Sequence, residues 1–71
     1  MFAYYKLFDY LRKHNLKQKD LIDKKVVSNG TMQRLKRNEY VNTSILDSIC
    51  NYLKCDITDI MEHIQPNEDE Q

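Results

Sequence analysis

The sequence predicts an all-α fold, five short amphipathic helices wrapped round one shared core. Three observations carry this. One glycine (Gly30) and one proline (Pro66) leave few helix breakers, and runs of β-branched residues are scarce. Apolar residues recur at i, i+3, i+4 and i+7, the spacing of a helix face, and each candidate helix carries a single apolar stripe. Single-striped helices must bury their stripes against one another. With 71 residues there is room for one domain and a modest core, and little room for a deep substrate cleft.

Helix 1 is expected over about residues 4–14, with Tyr4, Leu7, Phe8 and Leu11 on one face and Asn15 as a left-handed stop. Helix 2 is expected from Gln18 to Lys25, burying Leu21 and part of Ile22. Ser28 can cap helix 3, which runs from Asn29 to about Arg37 and buries Met32 and Leu35, with Val27 packing just upstream. Asn42, Thr43 and Ser44 offer overlapping caps for helix 4, which reaches about Leu53 and carries Leu46, Ile49, Cys50 and Leu53. Asp56 is read as the cap of helix 5, through about Ile64, with Ile57, Ile60, Met61 and Ile64 inward. Residues 1–65 thus form the domain, and 66–71, "PNEDEQ", an acidic, frayed tail.

Several functional classes are disfavoured. No apolar stretch is long enough to span a membrane, and "MFAYYKLFDYLRKH" does not resemble a signal peptide, so the cytoplasm is the expected location. Cys50 and Cys55 fit neither a CxxC redox motif nor a zinc site and read as reduced thiols, with a disulfide or regulatory thiol as the alternative. His14 and His63 lack companions at metal-ligand spacing. With no nucleophile–base pair and no glycine-rich phosphate loop, neither an enzyme nor a cofactor or metal protein is expected.

Charge is divided along the chain. Residues 1–40 hold ten Lys/Arg against four Asp/Glu, a formal +6, whereas 41–71 hold one Lys against seven acids, a formal −6. A basic pole of this kind attracts polyanions despite zero net charge. The alternative is two solvated faces of opposite sign.

The stretch "VSNGTMQRLKRNEY", residues 27–40, concentrates the signal. On a helical wheel Met32 and Leu35 lie on one side, and Gly30, Gln33, Arg34 and Arg37 on the other. The short connection to helix 2 favours a helix-turn-helix, whose second helix enters the major groove. There Arg34 could donate two hydrogen bonds to guanine, Gln33 or Asn29 could pair with adenine, and bare Gly30 would let the backbone approach the groove edge. Lys17 and Lys19 sit where cations meet the positive end of the helix 2 dipole, an arrangement that a phosphate would make favourable. The alternative is a poorly capped helix offset by the pairs Lys19–Asp23 and Asp20–Lys24. Lys36, Arg37 and Asn38 would meet phosphates at the end of helix 3, although Lys and Arg favour any helix C-terminus.

These residues resemble the lambda-repressor-like, Cro-type (XRE) helix-turn-helix family over about residues 4–64. The resemblance is carried by "NLKQKDLIDKKVVSNGTMQRLKRNE" and "LDSICNYLKCDITDIME". It implies a compact five-helix DNA-binding domain with the helix-turn-helix formed by helices 2 and 3. Base contacts are implied for Asn29, Gly30 (through its backbone), Gln33 and Arg34. Phosphate contacts are implied for Gln18, Thr31, Lys36, Arg37, Asn38 and Tyr40, to which the residues' own chemistry adds Lys17, Lys19 and the cap Ser28. Val26 stands where the family carries its turn glycine, and a β-branched residue would be strained at positive φ. Ile22 replaces a small residue and would push helices 2 and 3 apart unless it points elsewhere. Gly30 lacks a side chain that relatives often use on bases, implying weaker discrimination.

The expected function is therefore that of a bacterial or phage-type transcriptional regulator, a repressor binding double-stranded DNA, with a possible homodimer on a pseudo-palindromic site. Met61, Ile64 or Tyr52 could supply the dimer patch. The competing reading is a protein-interaction module or antitoxin-like protein whose acidic half, with Asp56, Asp59 and Glu62, docks a basic partner.

Overall fold

The computed structural model describes residues 1–65, so the acidic tail expected over 66–71 lies outside the described residues. The elements in chain order are strand β1 (Phe2–Ala3), α1 (Tyr5–Lys13), α2 (Gln18–Asp23), α3 (Asn29–Lys36), α4 (Thr43–Leu53), a 3₁₀ turn (Ile57–Asp59) and strand β2 (Glu62–His63). The helical stripes meet as their spacing predicts. Tyr4, Leu7 and Leu11 from α1 and its cap, Leu21 from α2, and Val27, Met32 and Leu35 from the turn and α3 join Leu46, Ile49 and Leu53 of α4 in one buried cluster. Phe8, Ile22 and Cys50 pack at its margin.

The fifth α-helix expected after Asp56 does not form among the described residues. Asp56 caps a single 3₁₀ turn, its Oδ1 accepting the Ile57 N–H at 2.7 Å, while the Asp59 carboxylate accepts the Asp56 N–H at 3.0 Å. The chain then extends, and Glu62–His63 pairs antiparallel with Phe2–Ala3, Phe2 opposite His63 and Ala3 opposite Glu62. Beyond that register Met1 and Ile64 exchange both hydrogen bonds, at 3.0 and 2.7 Å. Of the four apolar residues assigned to this helix, Ile60 is fully buried and Met61 half-buried, whereas Ile57 and Ile64 remain 38 % and 40 % exposed. The described fold is therefore helical as expected, but with four α-helices closed by a two-residue ribbon in place of five.

All four helices end alike. Asn15, Lys25, Asn38 and Lys54 adopt positive φ, between 55° and 61°. In each case the next N–H returns to a carbonyl five residues earlier: Leu16 to Leu11, Val26 to Leu21, Glu39 to Arg34 and Cys55 to Cys50. These are Schellman closures, which satisfy carbonyls that the helix cannot bond itself. They occur here without glycine, two on Asn and two on Lys. Helix 2 consequently stops at Asp23, short of the expected Lys25.

The same geometry removes the strain anticipated at Val26. The left-handed residue of the turn is Lys25, and Val26 is not among the residues with positive φ. Ile22 is half-buried and lines a groove with Val26, with Thr31 of α3 and with Ile45 of α4.

Candidate nucleic-acid interface

The turn between α2 and α3 occupies residues 24–28 and is fixed from both ends. On the α2 side the Lys24, Lys25 and Val26 N–H groups bond back to Asp20, Ile22 and Leu21. On the α3 side Ser28, in extended conformation, caps the helix. Its Oγ accepts the Thr31 N–H at 3.1 Å and donates to Thr31 Oγ1 at 3.0 Å. Val27, buried between them, anchors the turn in the core. Helix α3 is thus held by Val27, Met32 and Leu35, and its remaining face is free.

That free face carries the four residues assigned to bases. Asn29, Gly30, Gln33 and Arg34 are all exposed. Gly30 has ordinary helical φ, and a Cβ added there would meet nothing nearer than Ser28 Oγ, at 3.9 Å. Among the described residues, neither backbone conformation nor packing requires glycine at this position.

The residues assigned to phosphate divide into two groups. Lys17, Lys19 and Lys36 are exposed cations, and Arg37 is exposed and lies 3.5 Å from Glu39. A pair this open to solvent contributes little and would yield readily to a phosphate. Gln18 and Thr31 are half-buried. The hydroxyls of Ser28 and Thr31 already bond one another, so a phosphate near them would meet the first-turn N–H groups of α3 as readily as the hydroxyls. Asn38 closes α3, and its Oδ1 accepts the Tyr4 N–H at 3.1 Å, which fixes the side chain with Nδ2 as its donor to any phosphate. Tyr40 is 75 % exposed, its ring standing edge-on to Phe2 at 6.4 Å.

Three residues have roles here beyond those expected from the sequence. Asp20 accepts the Lys17 N–H at 2.8 Å and so gives α2 an acidic first-turn group that offsets its poor cap. An Asp three residues after the cap position was the available signal. Lys24 and Lys25, exposed in the turn itself, extend the basic surface between the two helices.

The acidic half is arranged differently from expectation. Asp56 and Asp59 are engaged in the 3₁₀ turn, and Glu62 lies on β2, so the three do not share one helix face. Tyr52 and Ile64, expected at a dimer patch, are 38 % and 40 % exposed, whereas Met61 is half-buried. The thiols of Cys50 and Cys55 are free and half-buried. Burial pushes both upward, Cys55 to about 11, with the nearby Cys50 and Asp59 adding to its shift. Among the described residues no helix is long and apolar enough to cross a membrane, and no group of three or more potential metal ligands converges.

A helix-turn-helix closed in this way, with a bare polar face on its second helix, defines a class. The chain belongs to the family of Cro/C1-type helix-turn-helix DNA-binding domains, whose model matches residues 6–66. Its structure is also similar to the crystal structure of the transcriptional regulator VanUg, with 35 % identity and a TM-score of 0.85 over 92 % of this chain and 87 % of that one. Comparison with curated protein sequences finds no significant match.

Proposed function

We propose that this protein is a sequence-specific regulator that inserts α3 into the major groove of duplex DNA and acts by occupying its site, most simply as a repressor. The exposed polar face of α3, in a chain that matches the Cro/C1-type helix-turn-helix family over residues 6–66, is the observation that carries this reading. The only glycine of the chain lies in the first turn of that helix, where its cost relative to alanine is below the roughly 1 kcal/mol of a helix interior. It stands in open space, between side chains suited to base edges. A surface that must come close to another molecule explains a missing Cβ there; the fold does not. Arg34 would read guanine, Asn29 and Gln33 adenine. Lys17, Lys19, Lys36 and Arg37, with the first-turn N–H groups of α2 and α3, would hold phosphates on either side.

As a single recognition unit reads few base pairs, two copies on a pseudo-palindrome, with half-sites about 34–36 Å apart, would complete the function. The test is a fluorescence-anisotropy titration of random-sequence duplex at several salt concentrations, followed by selection of a preferred site. The expected result is binding whose log K falls linearly with log salt, with a slope of several released counterions. Absence of binding at low salt would overturn the proposal and turn the search towards a protein partner.

A further inference from the structure

On the side of the molecule built by the ribbon, the loop after α3, α4 and the 3₁₀ turn lies a groove of about 690 Å³. This falls inside the range of roughly 300–1,000 Å³ typical of sites for small organic ligands. Its floor is apolar, made by Tyr4, Leu46 and Met61 together with the two half-buried thiols. Phe2, Tyr40 and His63 add aromatic rings to the lining. Phe2 is edge-on both to Tyr40, at 6.4 Å, and to His63, at 5.2 Å, so the three rings are held in one array. Three carboxylates, Asp47, Asp56 and Glu62, complete the lining, and among the described residues no Lys or Arg contributes to it. Of the residues assigned to DNA, only Tyr40 borders this groove.

From this combination we propose that the groove is a binding site for a small apolar organic cation, such as a quaternary ammonium or phosphonium carrying aromatic rings. The charge pattern selects the occupant. Aromatic faces attract a weakly hydrated cation, and carboxylates at the rim add attraction that a neutral or anionic ligand of the same shape does not receive. Cys50 and Cys55 are free, half-buried thiols, protonated at neutral pH, so they add no charge to the floor. A hydrated metal ion or ammonium would gain nothing from the apolar floor. Occupancy would rest on Tyr40 and Val41, the loop that leaves α3, and so lies beside the candidate interface without covering it. Binding of such a cation does not depend on the DNA reading.

The test is an NMR titration of the full chain with two near-isosteric ions of opposite charge, tetraphenylphosphonium and tetraphenylborate. The phosphonium is expected to shift resonances of Phe2, Tyr40, Ile57 and Met61 in a saturable manner, with the borate leaving them in place. The double variant Asp47→Asn/Glu62→Gln, which keeps side-chain size and alters no core residue, is expected to weaken phosphonium binding about tenfold while its unliganded spectrum stays that of the folded protein. The proposal is overturned if the borate shifts the same residues with equal affinity, if neither ion shifts them, or if the double variant binds the phosphonium as the wild type does.

Discussion

Asn38 and Tyr4, 34 residues apart, are joined by a hydrogen bond from the Tyr4 N–H to Asn38 Oδ1, 3.1 Å long and partly buried. Asn38 is also the left-handed residue that closes α3, with φ of 58°. One side chain therefore ends the candidate recognition helix and ties that end to the start of α1. Asn is suited to both tasks, since it tolerates the left-handed region and offers an acceptor.

Replacement of Asn38 separates the two tasks. Asn38→Gly keeps the backbone conformation and orphans the Tyr4 N–H, whereas Asn38→Ala does both kinds of damage. An unsatisfied, partly buried donor costs about 1–3 kcal/mol, and the alanine variant adds about 1 kcal/mol of left-handed strain. Urea denaturation should order the stabilities wild type, Gly, then Ala. Equal losses would show that the hydrogen bond alone matters.

Lys25 carries the corresponding strain without compensation, since its side chain is exposed and its φ is 61°. Lys25→Gly should raise stability by about 0.5–1 kcal/mol, seen as a higher urea midpoint at unchanged slope. Val26→Gly should do the opposite, because Val26 packs against the core and is not left-handed. The pair tests which residue truly occupies the glycine-favouring place in the turn.

The contrast between these two residues also shows what sequence could and could not disclose. Helices 1 to 4 were legible from their apolar stripes, reinforced in α3 and α4 by the caps Ser28 and Asn42 and in α1 by the stop at Asn15, whereas α2, without a side-chain cap, ends two residues early. Lys25 was not legible, because family analogy located the positive φ one residue too late and lysine has no left-handed preference to correct it. The fifth helix was the larger failure. Ile57, Ile60, Met61 and Ile64 have perfect helical spacing, yet the backbone of residues 62–63 finds its partners in Phe2–Ala3 at the other end of the chain. A local periodicity cannot register a bond to a distant segment. The candidate site was legible as far as its exposed polar set; the bond that occupies Asn38 was hidden for the same reason, its partner being 34 residues away.

Alkaline pH should destabilise the fold. Cys55 is held up to about 11 against an ordinary 9.0, and Cys50 and Tyr4 are also raised, each mainly through burial. The folded state thus retains protons that the unfolded state releases, so this contribution is complete below pH 9 and is lost as pH rises towards 11. The urea midpoint should fall over that interval, and Cys55→Ala should flatten part of the decline. In the same window alkylation of Cys55 should accelerate steeply, having been slow at neutral pH.

Gly30→Ala sets stability against function. In open space the added methyl should stabilise α3 by a few tenths of a kcal/mol and at most about 1 kcal/mol, less near a helix end than at its centre. If the backbone approaches the groove edge, the same methyl should weaken binding to the selected site while the thermal midpoint rises. A variant more stable and equally tight would show that no close approach of DNA requires the glycine.

Arg34 and Lys36 separate reading from anchoring. Both are exposed, near the end of α3, and neither is required by the core. Arg34→Ala should cost about 1–3 kcal/mol on the preferred site and relax selectivity at one base pair, because a bidentate donor to guanine is lost. Lys36→Ala should weaken all sequences alike and lower the salt slope by about one, as one phosphate contact disappears. Binding measured on the preferred site and on random duplex, each at three salt concentrations, distinguishes the two patterns. Identical behaviour of the two variants would mean that α3 meets DNA through charge alone, with no base read by Arg34.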